Sequence, residues 1–337
     1  MIVVMKPLAD ESCIGRVVSI IKENGLHVHL SEGKEVTIVG VVGDKTRLDH
    51  EKLQSLPGVE KIVHVTESYK LSNIKFHPEP TVIRLPHTSI GPENLTIMAG
   101  PGAVESEEQL MMAARAVKKA GATMLRGGAF KPQTSPYAFQ GLGEEGLKLM
   151  KQASEETGLD TICEVTSCRT LEIAAKYLDM IQVGARNMQN YELLKEIGQT
   201  KIPVMLKRGL SSTIEEWLNA AEYIMANGNE QVALCERGIR TFETATANTL
   251  DLSAVCVLKE KTHLPVIVDP CHATGVRRYV QPLSKAAVSC GADGLIIEVH
   301  PDPEGALCEG AQSLSIPEFT QFMKDIKTFT ILAGRVF

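Results

Sequence analysis

Eight short apolar runs, each separated from the next by a turn and a helical pattern, constrain this chain more than any other feature. They fall at residues 96–99, 124–126, 161–165, 180–183, 203–207, 232–236, 265–269 and 294–299. Helical periodicity fills the gaps, for example at 105–119, 213–226 and 250–259. Short β runs alternating with helices argue for parallel strands, and eight of them close a (β/α)8 TIM barrel, an α/β fold. A doubly wound open sheet is the structural alternative. Against it, no G-x-G-x-x-G opens the first helix, and polar residues gather at all the strand ends.

Residues 1–66 carry a different rhythm, with strands at 2–5, 26–30, 35–42 and 59–65 and helices at 12–24 and 49–56. This β-α-β-β-α-β order is that of a small ferredoxin-like α+β domain. Residues 67–80, ending in two prolines, read as a linker, and residues 81–337 as the barrel. Residues 81–85 form half of a small hairpin leading into it.

Charge and composition exclude several classes of function. The formal net charge is −6 and no basic block is present, which argues against a general nucleic-acid or anionic-membrane binder. No apolar stretch reaches the roughly 18 residues of a membrane span, and the N-terminus shows no signal peptide. The eight cysteines form no C-x-x-C pair and several lie in apolar runs, as expected of a reduced cytoplasmic protein.

The residues that close the runs carry the chemistry. The second run ends in Arg126-Gly127-Gly128 with Lys131 soon after, and the third holds Glu164. Arg186 follows the fourth, Lys207 ends the fifth, and Arg237 follows the sixth. In a barrel these ends meet on one face, where active sites sit. Five cations there repel one another unless an anion is expected, and a ligand with separate phosphate and carboxylate groups would match them. The plainer alternative is that each cation pairs with a structural carboxylate. His272, Glu298 and Glu309 form a second group, which suits a divalent cation, although a lone histidine is commonly structural.

The motifs Ala99-Gly100-Pro101, Leu125-Arg126-Gly127-Gly128, Lys131-Pro132-x-Thr134-Ser135-Pro136 and Phe139-Gln140-Gly141-Leu142-Gly143 resemble those of one family. So do Gln182-Val183-Gly184-Ala185-Arg186-Asn187, Leu206-Lys207-Arg208-Gly209, Leu234-Cys235-Glu236-Arg237-Gly238, Asp269-Pro270-x-His272 and Glu298-Val299-His300-Pro301. The chain resembles the type I 3-deoxy-D-arabino-heptulosonate 7-phosphate (DAHP) synthases with an N-terminal ferredoxin-like regulatory domain. The resemblance implies condensation of phosphoenolpyruvate (PEP) with erythrose 4-phosphate, the first step of the shikimate pathway. It implies Lys131, Glu164 and His272 as catalytic. Arg126 and Lys131 would hold the PEP carboxylate, and Arg186, Lys207 and Arg237 its phosphate, with Pro132, Thr134, Ser135 and Glu164 also in the substrate site. It further implies a divalent metal such as Mn²⁺ at His272, Glu298 and Glu309, an aromatic amino-acid effector at His29 and Ser31, and a homotetramer.

The chain departs from that family at several places, one of them Cys271 and Ala273-Thr274-Gly275, where the family has a Ser-rich stretch around the His. The metal-binding Cys position, just after Ala99-Gly100-Pro101, is Gly102, and the Asp position is Glu309. Loss of the thiolate weakens soft-metal affinity more than affinity for Mn or Mg, and related octulosonate-phosphate synthases lacking this Cys include metal-independent members. Cys271, beside His272, could substitute only if its side chain turned inward, and on a strand neighbouring residues face opposite ways. Gln133 stands where the family has an Arg that binds erythrose 4-phosphate, a loss of about 1–2 kcal/mol or more. The PEP half is thus kept while the metal and aldehyde halves change. Two alternatives stay open: a paralogue using another phosphosugar aldehyde, and a catalytically silent PEP- or effector-binding homologue.

Overall fold

The structure is a computed structural model that describes every residue except Leu8, residues 34–35, 44–47 and 64–66, Thr134 and Phe337. The chain divides into two compact units, Met1–Pro80 with Glu260–His263, and Thr81–Lys259 with Leu264–Phe337.

The first unit holds β1 (Ile2–Met5), α1 (Glu11–Glu23), β2 (His27–Glu32), β3 (Thr37–Val42), α2 (His50–Gln54) and β4 (Val59–Val63). The strands form one antiparallel sheet in the order β2-β3-β1-β4, the ferredoxin-like arrangement. α1 starts where it does because the Asp10 side chain accepts the Cys13 N–H, satisfying a donor that has no partner within the helix. Its Val17 and Ile21 meet Met1 and, on β1, Val3 and Met5 in the core. Residues 67–80, read above as a linker, belong to this unit, since Phe76 is fully buried against Ile2 and Ile38. A phenylalanine gains too much by burial to stay in a solvated tether. His29 and Ser31 lie on the edge strand β2 opposite Gly40 and Ile38; Ser31 is buried and His29 half-buried.

In the second unit a hairpin of β5 (Ile83–Arg84) and β6 (Ser89–Ile90) precedes eight strands. These are β7 (Thr96–Gly100), β8 (Met124–Arg126), β9 (Asp160–Val165), β10 (Met180–Val183), β11 (Val204–Lys207), β12 (Val232–Glu236), β13 (Val266–Val268) and β14 (Gly294–Glu298). They pair in parallel and in chain order, and β14 returns to β7 to close the barrel. The helices between them are α3 (Glu107–Ala120), α4 (Glu144–Thr157), α5 (Cys168–Ala174), α6 (Tyr191–Gln199), α7 (Ile214–Ala226), α8 (Leu252–Lys261), α9 (Pro270–Thr274) and α10 (Arg277–Ser289), and α11 (Ile316–Leu332) follows β14.

The barrel interior is filled by Met98, Met124, Ile162, Met180, Met205 and Ile296 among others, and the hairpin's Ile83 and Ile90 pack into the same cluster. Because Asp160, at the start of β9, accepts the His87 N–H of that hairpin, the hairpin plugs the N-terminal mouth. The open mouth is therefore the one at the strand C-termini. None of the described helices is long and apolar enough to cross a membrane.

Candidate active site

The open mouth holds a cavity of about 450 Å³ lined by all five predicted cations, together with Glu164, His272 and Glu309. Gln133 and Pro132 also line it. Ser135 is exposed and outside the lining, its hydroxyl accepting from the Tyr137 N–H, and Thr134 lies outside the described residues.

The cations divide into two sets. Arg126 and Lys207 are buried and Lys131 is half-buried, and each of the three is paired with a different carboxylate. Arg126 Nη1 donates to Glu298 Oε1 at 2.9 Å, Lys131 Nζ to Glu309 Oε2 at 2.7 Å, and Lys207 Nζ to Asp269 Oδ2 at 2.5 Å. Arg186 and Arg237 have no carboxylate partner among the described residues, and the buried Nη1 of Arg237 has no acceptor there. The anion-seeking charge thus concentrates on Arg186 and Arg237, while the other three sit beside acids. Arg208, next to Lys207, is a structural residue. Its guanidinium bonds Glu236 and Asp251, each at 2.9 Å, and lies over the Trp217 ring.

Glu164 projects from β9 with its Oε1 buried and without a donor among the described residues, while Gln182 donates to Oε2 at 3.4 Å. It fits only because position 184 is glycine, where a Cβ would stand 1.9 Å from Oε1.

His272 does not lie on a strand. β13 ends at Val268, and Asp269 caps the short helix α9 with Pro270 at its start. The expectation that Cys271 sits on a strand is therefore wrong. Its thiol is buried in α9 and accepts the Glu298 N–H, which turns it to backbone and away from the cavity. The capping role of Asp269 was legible in Asp-Pro-x-His, since an Asx three residues before a helical N–H, followed by Pro, is a helix start.

His272, Glu298 and Glu309 place one ligand atom each within 4.8 Å of one another. Asp269 Oδ2 lies 2.7 Å from His272 Nδ1, which leaves Nε2 facing Glu309 Oε1 at 3.3 Å and Glu298 Oε1 at 3.4 Å. Gln312, absent from the sequence reading, donates to Glu298 Oε2 at 2.6 Å. One imidazole nitrogen and two carboxylates, oriented by Asp269 and Gln312, fit a divalent cation that accepts nitrogen and oxygen ligands.

Burial disfavours the charged form throughout the site. It raises Glu298, helped by the neighbouring Glu309 charge. In Glu309 burial is overcome by His272, Lys131 and Arg126, which hold the carboxylate far below its usual range. Burial lowers His272, but the charges of Asp269 and Glu298 and the Asp269 hydrogen bond together raise it above the ordinary histidine value.

Residues 72–332 match the DAHP synthetase I family, and residues 1–67 match the DAHP synthase ferredoxin-like domain. The chain belongs to the DAHP synthetase I family. It is 48% identical to the phospho-2-dehydro-3-deoxyheptonate aldolase of Thermotoga maritima over 99% of both chains. The crystal structure of DAHP synthase from that organism superposes with a TM-score of 0.79 at 47% identity, covering 99% of this chain and 98% of the other. A 2-dehydro-3-deoxyphosphooctonate aldolase of Syntrophotalea carbinolica is 30% identical over 73% of this chain and 95% of its own. In this member of the family the cavity, the ring of cations and the His-Glu-Glu group all occupy the C-terminal mouth of the barrel.

Proposed function

We propose that this protein condenses PEP with erythrose 4-phosphate and water to give DAHP and phosphate. The observation that carries the reading is one cavity lined by Arg126, Lys131, Arg186, Lys207 and Arg237 with His272 and Glu309 in its wall. The similarity to a phospho-2-dehydro-3-deoxyheptonate aldolase along the whole chain supports it.

In this reading Arg186, Lys207 and Arg237 hold the PEP phosphate, and Arg126 and Lys131 its carboxylate. That fixes PEP C3 toward the aldehyde, converting an encounter of two solutes into an oriented attack. A new bond forms from C3 to the aldehyde carbon, and the aldehyde oxygen takes up a proton from the ammonium of Lys131 in the cavity wall. Glu164, with its unengaged Oε1, accepts a proton from the water that adds at C2, after which the C2–O bond to phosphate breaks. His272, Glu298 and Glu309 would hold a divalent cation that polarises the aldehyde oxygen as a Lewis acid when bound. With nitrogen and oxygen donors only, the set favours a cation of the Mn²⁺ or Mg²⁺ type over a thiophilic one.

The same family reading extends to an aromatic amino-acid effector on the first unit near His29 and Ser31, a homotetramer, and a cytoplasmic location. A second reading, another phosphosugar aldehyde, is favoured by Gln133, a neutral amide in the cavity wall. Phosphate release from PEP decides between them. With metal-stripped protein and with added Mn²⁺, turnover on erythrose 4-phosphate is expected in the second case. Turnover only on another aldose phosphate would establish the second reading.

A further inference from the structure

Lys131 is claimed by an internal carboxylate, and a missing side chain makes this possible. Lys131 Nζ donates to Glu309 Oε2 at 2.7 Å and to the Gly102 carbonyl at 3.1 Å. A Cβ at position 102 would stand 2.6 Å from Glu309 Oε2 and 3.3 Å from both Glu309 Cβ and Glu298 Oε1. The Glu309 carboxylate therefore fills the space a side chain at 102 would take. Glu309 is also the one described non-glycine residue with a positive φ, at 60°. A left-handed backbone at a glutamate persists only where surrounding contacts hold it.

Glu309 carries one negative charge and meets two cationic claims on it. Its Oε1 faces His272 and its Oε2 holds Lys131. Resting on the reading above, in which Lys131 binds the PEP carboxylate and Glu309 helps bind a divalent cation, these two ligands depend on the same side chain. We propose that Gly102 and Glu309 form an interlock on Lys131: with no cation bound, Glu309 occupies the lysine, and when its charge is drawn to a divalent cation Lys131 passes to the carboxylate of PEP. The two ligands then bind with positive coupling, and by linkage each raises the affinity of the other by the same factor. Gly102 is in this account the seat of Glu309, more than a vacated ligand position.

The test is calorimetric titration of PEP into the full-length protein, metal-stripped and then saturated with Mn²⁺, with Mn²⁺ binding followed separately by electron paramagnetic resonance. In the unaltered protein Mn²⁺ should tighten PEP by about tenfold, within the ordinary range of such couplings. Gly102→Ala pushes the carboxylate off its seat and should tighten cation-free PEP binding severalfold while shrinking the Mn²⁺ effect. Glu309→Asp keeps the charge but draws it back by one methylene, and should act in the same direction. It therefore decides the matter if the alanine variant does not fold.

Equal PEP affinity with and without Mn²⁺, or charge-conserving variants that leave cation-free affinity unchanged or weaker, would overturn the interlock while leaving the substrate reading intact. Binding of Mn²⁺ with no binding of PEP under either condition would instead overturn the substrate reading, and the interlock with it.

Discussion

Asp269 holds His272 at two points: its Oδ1 accepts the His272 backbone N–H at 2.9 Å, and its Oδ2 lies 2.7 Å from the ring Nδ1. The same Oδ2 takes Lys207 Nζ at 2.5 Å, so one buried carboxylate orients the imidazole and neutralises the lysine, the two groups that in the proposed reading bind a cation and the PEP phosphate. Asp269→Asn removes the charge and leaves the imidazole free to turn. Mn²⁺ affinity should fall about 10- to 100-fold, the usual cost of losing a residue that orients a metal-binding histidine. Titration of the variant with Mn²⁺ measures this directly, and unchanged affinity would show that Nε2 is aimed by other contacts.

Arg208 follows β11 and Arg237 follows its neighbour β12, and the two should respond in opposite ways. Arg237→Ala deletes a guanidinium with no carboxylate partner among the described residues, so kcat/KM for PEP should fall about 10- to 100-fold with little change in melting temperature. Arg208→Ala strands the buried Glu236, whose carboxyl is already raised by burial, and should cost about 3–5 kcal/mol of stability. Steady-state kinetics paired with urea unfolding of each variant separates binding from scaffolding.

Gly184→Ala would place a Cβ 1.9 Å from Glu164 Oε1 and force that side chain from its position. A kcat loss of tenfold or more is expected, with overpacking adding about 1–3 kcal/mol of destabilisation. Retained kcat in a folded variant would remove Glu164 from the catalytic scheme.

His263 supplies a pH dependence that does not involve the active site. It is buried in the first unit with Nε2 2.7 Å from the Leu71 carbonyl and its ring 4.4 Å from that of His77. Burial, with His77 and His29 nearby, lowers its pKa from 6.5 to about 4. Above pH 6.5 both folded and unfolded states carry it neutral, and it adds no pH dependence. Between pH 6.5 and 4 the unfolded chain binds a proton that the folded chain does not, so stability is lost as the pH is lowered through this range. The loss approaches about 3 kcal/mol at its limit. Chemical denaturation across this range should show the decline, and His263→Phe should flatten it.

Much of the architecture was legible in the sequence. A strand that ends in or just before a cation is a local fact of the chain, and once eight parallel strands close a barrel their C-termini share one face. Arg126, Lys131, Arg186, Lys207 and Arg237 could therefore be named together before any coordinates, and so could the ferredoxin-like order of the first sixty-odd residues. Helical and strand periods report the local backbone, and these features are local.

Only the tertiary structure decided which charges meet. Arg126 and Glu298 are 172 residues apart in sequence, and Lys131 and Glu309 are 178 apart. No periodicity carries such pairings, which depend on β14 closing onto β7 and on the path of the loop after β14. Likewise the helical turn that buries Cys271, the packing of Phe76 and the occupation of the space above Gly102 by Glu309 are settled by volume and charge in three dimensions. Composition and spacing identify the groups at the mouth of this barrel, and distance alone determines how they are paired.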